Sequence, residues 1–253
     1  MKIKKTIIVL IIWLVLQLCG GIPYAIGTLF NKENAIQLLV YGLLASQIAE
    51  ILIFWLLKYF KPKEMVSPAP GWDVFLLSLP LGICIMYGID LLATTVDAPD
   101  MLADLMPELC SSYWGILSIA VVGPIAEEVM MRRIILTEMK EATHSKWGGI
   151  LISAAIFAII HLNPAQILFA FPAGILLGWL YCRTGSLLVP ICVHILNNSL
   201  SVLLVRLGTE DSITSLSDPR AIMELVVCAV VAVPLIIWMN RHYRRQEQTS
   251  IQD

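Results

Sequence analysis

Eight apolar runs, each bounded by polar or turn-forming residues, restrict what this chain can fold into more than any other feature. Seven of them, near 6–30, 35–57, 73–96, 113–139, 165–182, 185–205 and 221–239, are long enough to cross a bilayer, which takes roughly 17 to 25 helical residues. The eighth, 147–161, is shorter. Within hydrocarbon every backbone N–H and C=O needs a partner inside the chain, so runs of this length fold as helices. Composition agrees: 58% of the 253 residues are hydrophobic and 14% are charged, with a mean hydropathy of +0.81, outside the range of soluble globular domains. The expected fold is all-α, a polytopic membrane bundle of about eight transmembrane helices forming one domain over 1–253. There is no internal repeat or linker to divide it.

The start, MKIKKTIIVLIIWLVLQLCGG, has the basic lead and apolar core of a secretory signal. A lipoprotein-type site at Cys19 would want a small residue before it, and position 18 is Leu. Because apolar spans continue to the far end, this stretch is read as the first membrane helix. The six cysteines have neither CxxC pairs nor metal-type spacing and are read as small hydrophobes.

Eight crossings put both termini on one side, and the basic residues say which. Lys2, Lys4, Lys5, Lys58, Lys61, Lys63, Arg132, Arg133, Lys140, Lys146, Arg183, Arg241, Arg244 and Arg245 fall on one face; only Lys32, Arg206 and Arg220 fall on the other. By the positive-inside rule both termini are expected in the cytoplasm. The opposite face carries an acidic loop with Asp97, Asp100, Asp104 and Glu108.

Within the fourth run, GPIAEEVMMRRII places Glu127, Glu128, Arg132 and Arg133 in a segment that should be embedded. A charge at mid-membrane costs about 2.5 to 3.5 kcal/mol on insertion scales. The arginines can snorkel toward the cytoplasm, but the glutamates are too short. Glu128 and Arg132 are four residues apart, acid before base, and can pair on one helix face. Glu127 points about 100° away, with Met130 and Met131 as its i+3 and i+4 neighbours, so its own helix gives it no counter-charge. A desolvated carboxylate without a counter-charge is the stronger base, as general-base chemistry near neutrality requires.

His144 and His242 fall in loop and tail, whereas His161 and His194 fall in apolar runs. Phe157 lies one turn before His161, and Asn198 one turn after His194. Counting from the basic edge at ~1.5 Å per residue, Glu127 lies ~20 Å deep, His161 ~21 Å, His194 ~14 Å and Asn198 ~20 Å. Three helices thus deliver polar side chains to similar depth, and Glu127, His161, His194 and Asn198 are expected to meet in one intramembrane cavity. Gln17, Gln47, Glu50, Asp90 and Glu224 are read instead as single interhelical hydrogen-bonding residues.

At these residues the sequence resembles the CAAX endopeptidases that trim prenylated proteins and their prokaryotic relatives, the CPBP family, also labelled Abi and linked to bacteriocin processing and self-immunity. The resemblance lies in three ordered motifs: EExxxR as Glu127, Glu128 and Arg132; FxxxH as Phe157 and His161; HxxxN as His194 and Asn198. They span 72 residues within a motif core of 123–200. The resemblance implies an intramembrane endopeptidase with a cavity reached from the cytoplasm or laterally. It assigns Glu127 and His161 to activating a water and His194 and Asn198 to stabilising an oxyanion, with Glu128, Arg132 and Phe157 in support. No cofactor is needed on this reading. The expected partners are the lipid bilayer and a peptide or membrane-protein substrate, with no nucleic acid, and the expected location is a prokaryotic cell membrane.

Three alternatives remain open at this level. Glu127, His161 and His194 could hold a zinc ion with an open position for water, although no HExxH is present. Glu50, Glu127 and His161 could form the relay of a proton-coupled transporter, although there is no inverted repeat. The fold could also serve as a non-hydrolytic immunity or binding protein, for which the complete motif set gives no reason.

Overall fold

A computed structural model describes residues 3–30, 32–66, 69–208 and 218–252, without the side chains of 32–33 and 244–252. Of the basic residues used for orientation, Lys2 and the side chains of Lys32, Arg244 and Arg245 therefore lie outside the described residues. No strand occurs among those described. The main helices are α1 (Lys4–Phe30), α2 (Lys32–Leu56), α3 (Trp72–Thr94), α4 (Tyr113–Thr143), α5 (Lys146–Ile159), α6 (Pro164–Thr184), α7 (Leu188–Leu207) and α8 (Pro219–Gln252). Seven are long and apolar enough to span a membrane among the described residues; α5, with 14 residues, is not. The chain is a multi-pass membrane protein whose helices follow the eight apolar runs closely.

The ends of the bundle differ chemically. At one end Glu138 of α4 accepts from the backbone N–H groups of Lys5 and Thr6, satisfying donors in the first turn of α1. Arg133 pairs there with Glu64 at 2.9 Å, and Arg183 donates to the Asn240 side chain. The acidic loop after α3 lies at the opposite end, against the start of α6. Helix α5 rises only ~21 Å at 1.5 Å per residue, and the turn that follows it meets the acidic loop.

Small residues set the helix spacing, as packing in lipid favours. Gly20 of α1 and Gly42 of α2 lie backbone to backbone: a Cβ on Gly42 would sit 1.9 Å from the Gly20 carbonyl oxygen. Gly174 of α6 lies against Ala154 of α5, so Phe157 is pressed into the core. That core joins Val9, Phe54, Val129, Met130, Met131, Ile135, Phe157 and Ile191, all buried.

Helix α4 is not a uniform α-helix. Its hydrogen bonding widens to π-type over Ser118–Val122 and Val129–Leu136, on either side of Gly123–Glu128. Pro124 explains the first widening: it has no N–H and its ring crowds the preceding turn. Gly123 N donates to Ser118 O, five residues back. In the same register the Ile119 carbonyl would look to Pro124, which has nothing to donate.

Candidate active site

The orphaned Ile119 carbonyl is satisfied from another helix, because the Asn198 side-chain amide of α7 donates to it at 3.0 Å. This bond ties α7 to the widened turn of α4, about two helical turns before Glu127. On α2, Gln47 accepts from Ser118 Oγ at 2.9 Å, so its reading as an interhelical hydrogen bond is correct. Glu224 likewise accepts from Tyr87 across α8 and α3.

Glu128 and Arg132 form the pair that their spacing predicts, Oε2 to Nε at 3.0 Å, both fully buried. The contact is ionic in distance but lacks hydrogen-bond angles, and the two terminal guanidinium nitrogens have no hydrogen-bond partner among the described residues. The guanidinium instead lies over the Phe157 ring, 5.2 Å from its centroid, a cation–π contact. Phe157 also meets the edges of His161 and His194, at 4.8 and 6.0 Å between centroids. One aromatic ring thus organises three charged or titratable groups.

Glu127 is one-third exposed and finds its partner on α7: His194 Nε2 lies 3.6 Å from Glu127 Oε2, while Nδ1 of the same ring lies 3.0 Å from Glu128 Oε1. Glu127, without a counter-charge on its own helix, has His194 as its partner, and this ring bridges both acids. His161 presents Nδ1 to the Phe157 carbonyl at 2.7 Å, so Nδ1 carries the proton and Nε2 is left as an acceptor. Glu50 is buried on α2 with Oε1 unbonded among the described residues, and its carboxyl interacts electrostatically with that of Glu127.

Glu127, Phe157, His161, His194 and Asn198 all line one cavity of about 770 Å³. Its wall includes Asp97, Ala98, Asp100 and Leu102 of the acidic loop, and the acidic-end halves of α3, α6 and α7. Among the described residues no three His, Cys, Asp or Glu side chains are gathered closely enough to hold a metal ion, so the Glu127, His161 and His194 set does not fit zinc as arranged here.

Asn163 and Asp100 were missed as site residues by sequence reasoning. Asn163 stands in an Asn-Pro step that reads only as a helix break, yet its side chain is buried and bonded to Asp100. An Asn at a helix start signals a cap; nothing in the sequence says that it will bond elsewhere.

Residues 110–200 match the profile of the Rce1-like family, described as type II CAAX prenyl endopeptidase Rce1-like. YdiL of Bacillus subtilis (strain 168), provisionally named a membrane peptidase, is 36% identical over 85 residues, covering 34% of this chain and 34% of YdiL. The membrane-embedded CAAX protease MroQ of Staphylococcus aureus (strain USA300) is 30% identical over 102 residues, 38% of this chain and 40% of MroQ. The matched region is thus little more than a third of these relatives' length. No solved structure matches the chain. Residues 110–200, which carry all three motifs and the acid, histidines and asparagine of the cavity wall, are thus similar to the Rce1-like type II CAAX prenyl endopeptidases.

Proposed function

We propose that this chain is an intramembrane endopeptidase of the CPBP type, hydrolysing peptide bonds with a water held between Glu127 and His161. The observation that carries this reading is the placement of Glu127, His161, His194 and Asn198 on one cavity wall, with Glu127 the acid left free of Arg132. The Glu127 carboxylate and His161 Nε2 are both acceptors, so one water can donate a hydrogen bond to each and keep a lone pair for attack. Glu127 takes the proton as the C–O bond forms and returns it to the leaving amine as the C–N bond breaks. The second N–H of Asn198 and His194, through Nε2, serve the oxyanion. Glu128 holds His194 by Nδ1, and Arg132 holds Glu128.

No metal enters this scheme. The substrate is a peptide or membrane-protein segment. The test is comparative proteomics of membrane and secreted peptides from cells carrying the native chain or Glu127→Ala. One uncut precursor accumulating with Glu127→Ala supports the reading; identical peptide sets from both strains, in cells where the native chain is active, reject it. The buried Glu50 beside Glu127 is the one feature that favours a proton-coupled transporter. Solute uptake lost in Glu127→Gln, with no cleavage seen from the native chain, would select that reading.

A further inference from the structure

His161 does not lie in a helix. Helix α5 ends at Ile159, and His161, Leu162 and Asn163 form the turn that leads into α6. Leu162 in this turn has a positive φ of 55°, a conformation a branched aliphatic residue seldom adopts unless its surroundings hold it there. Apart from ring contacts, the only bond among the described residues that orients the His161 imidazole is Nδ1 to the Phe157 carbonyl. The aim of Nε2 into the cavity therefore depends on what holds the turn.

Asn163 holds it, and does so against its ordinary use. It is the residue before the first turn of α6, where an Asn side chain normally accepts from the helix's own N–H groups. It makes no such bond. Its side chain is instead turned to the strap of residues 97–102 that forms part of the cavity wall. Asn163 Nδ2 donates to Asp100 Oδ1 at 2.7 Å, and Met101 N donates to Asn163 Oδ1 at 3.2 Å. Ala165 N donates to Pro99 O at 3.3 Å, so the strap's backbone takes over one of the α6 donors that a cap would have served. Asp100 Oδ1 also accepts from Leu102 N, which folds the strap on itself. Asn163 is 2% exposed, so water does not compete for these bonds.

We propose that Asn163 is a positioning residue for His161: by clamping the 97–102 strap through Asp100, it fixes the turn that presents His161 to the cavity. As a role in peptide hydrolysis this rests on the endopeptidase reading, but the clamp acts on the imidazole whether or not a peptide is cut. The donor-acceptor direction discriminates among variants. Asp100→Asn keeps an Oδ1 that accepts from Asn163, whereas Asp100→Ala does not. Asn163→Ser can cap α6 but is too short to clamp the strap.

The experiment uses the full chain, labelled with ¹⁵N-histidine, in lipid nanodiscs, together with turnover of the precursor found in the proteomic comparison. Native protein and Asp100→Asn are expected to show the His161 ring as a single Nδ1–H tautomer. Asn163→Ser, Asn163→Ala and Asp100→Ala should show a tautomer mixture at His161 with the His194 signals unmoved. In the same three variants kcat should fall about 10- to 100-fold, the loss expected of a mis-set acid–base group, with KM within about threefold. An unchanged His161 signal in folded Asn163→Ser overturns the proposal, as does full activity in that variant, which would make helix capping the role of Asn163. Tautomer mixing as expected, without cleavage by the native chain, would leave the clamp standing and reject the endopeptidase reading alone.

Discussion

His194 and Glu128 meet at 3.0 Å, Nδ1 to Oε1, with the carboxylate completely shielded from solvent. Because Arg132 is on the other oxygen of Glu128 and Glu127 is 3.6 Å from the other nitrogen of His194, the two adjacent acids are fixed in different situations by a single imidazole. Glu128 is walled in and paired; Glu127 opens to the cavity.

This difference predicts opposite phenotypes for the same isosteric change. Glu127→Gln should keep its thermal unfolding midpoint and lose cleavage by roughly 10²- to 10⁴-fold, the usual contribution of a positioned general base. Glu128→Gln should unfold more readily, by about 3 to 5 kcal/mol, because it leaves the fully buried Arg132 without its counter-charge. Turnover and unfolding measured on both variants in one detergent check the pair; equal destabilisation would contradict the assignment.

Much of this arrangement is legible in the sequence. The spacing of Glu128 and Arg132 gives their pairing, and similar depth counted from the basic edge brings Glu127, His161, His194 and Asn198 toward one cavity. What the sequence withholds is rotation and register between helices. Lipid-facing helices are apolar on nearly all sides, so no polar stripe shows which face of α7 meets α4, or that His194 will lie against both acids. The widened turns in α4 break the 100° rule on which a helix reading relies. The strap after α3, which walls part of the cavity, reads in the sequence only as an acidic loop.

Asn198 has two tasks in this structure, and its replacement should register in both. Asn198→Ala orphans the Ile119 carbonyl that Pro124 cannot satisfy, costing about 1 to 3 kcal/mol of stability. It also removes a donor from the oxyanion position, for which a fall in kcat of about 10²- to 10³-fold is expected. Asn198→Gln, whose amide is displaced by one methylene, should recover little of either, as measured by unfolding and by single-turnover cleavage.

Packing beside His194 gives a prediction remote from the charged groups. A Cβ on Gly82 of α3 would stand 2.3 Å from Cγ1 of Val193, a fully buried side chain next to His194, whereas one on Gly88 would meet Leu225 at an ordinary 3.6 Å. Gly82→Ala should therefore push α7 outward, cost about 1 to 3 kcal/mol and lower turnover by moving His194. Gly88→Ala should do neither. Comparable activity in the two variants would show that α7 yields without disturbing the imidazole.

The ion pair at the basic end sets an acid-side limit on stability. Its hydrogen bonds from Arg133 hold the Glu64 carboxyl below the usual carboxylate range. A group whose folded value is depressed stabilises the fold above its unfolded value and loses that stabilisation as pH falls through the folded one. Both partners are about one-quarter exposed, so the contribution is up to about 1 kcal/mol. The unfolding difference between native protein and Glu64→Gln should be present at pH 7, shrink as pH drops below about 4.3, and be reduced by high salt. A difference that persists at pH 3 would mean that Glu64 acts by packing.

Metal dependence separates the two chemistries that a glutamate and two histidines can serve. A zinc site needs its donors about 2.0 to 2.2 Å from one point, whereas a water activated by protein groups needs only hydrogen-bonding distances. Here His194 Nδ1 is held by Glu128, its Nε2 faces Glu127 at 3.6 Å, and His161 has Nδ1 committed to the Phe157 carbonyl. Nε2 of each ring could still turn toward a shared ion, but the described side chains are not gathered for one. Prolonged treatment with a strong chelator, followed by dialysis, is therefore expected to leave cleavage of the native precursor unchanged. Activity lost on chelation and restored by zinc alone would transfer the water from Glu127 and His161 to a metal, and would require the α4 and α7 side chains to close in around it.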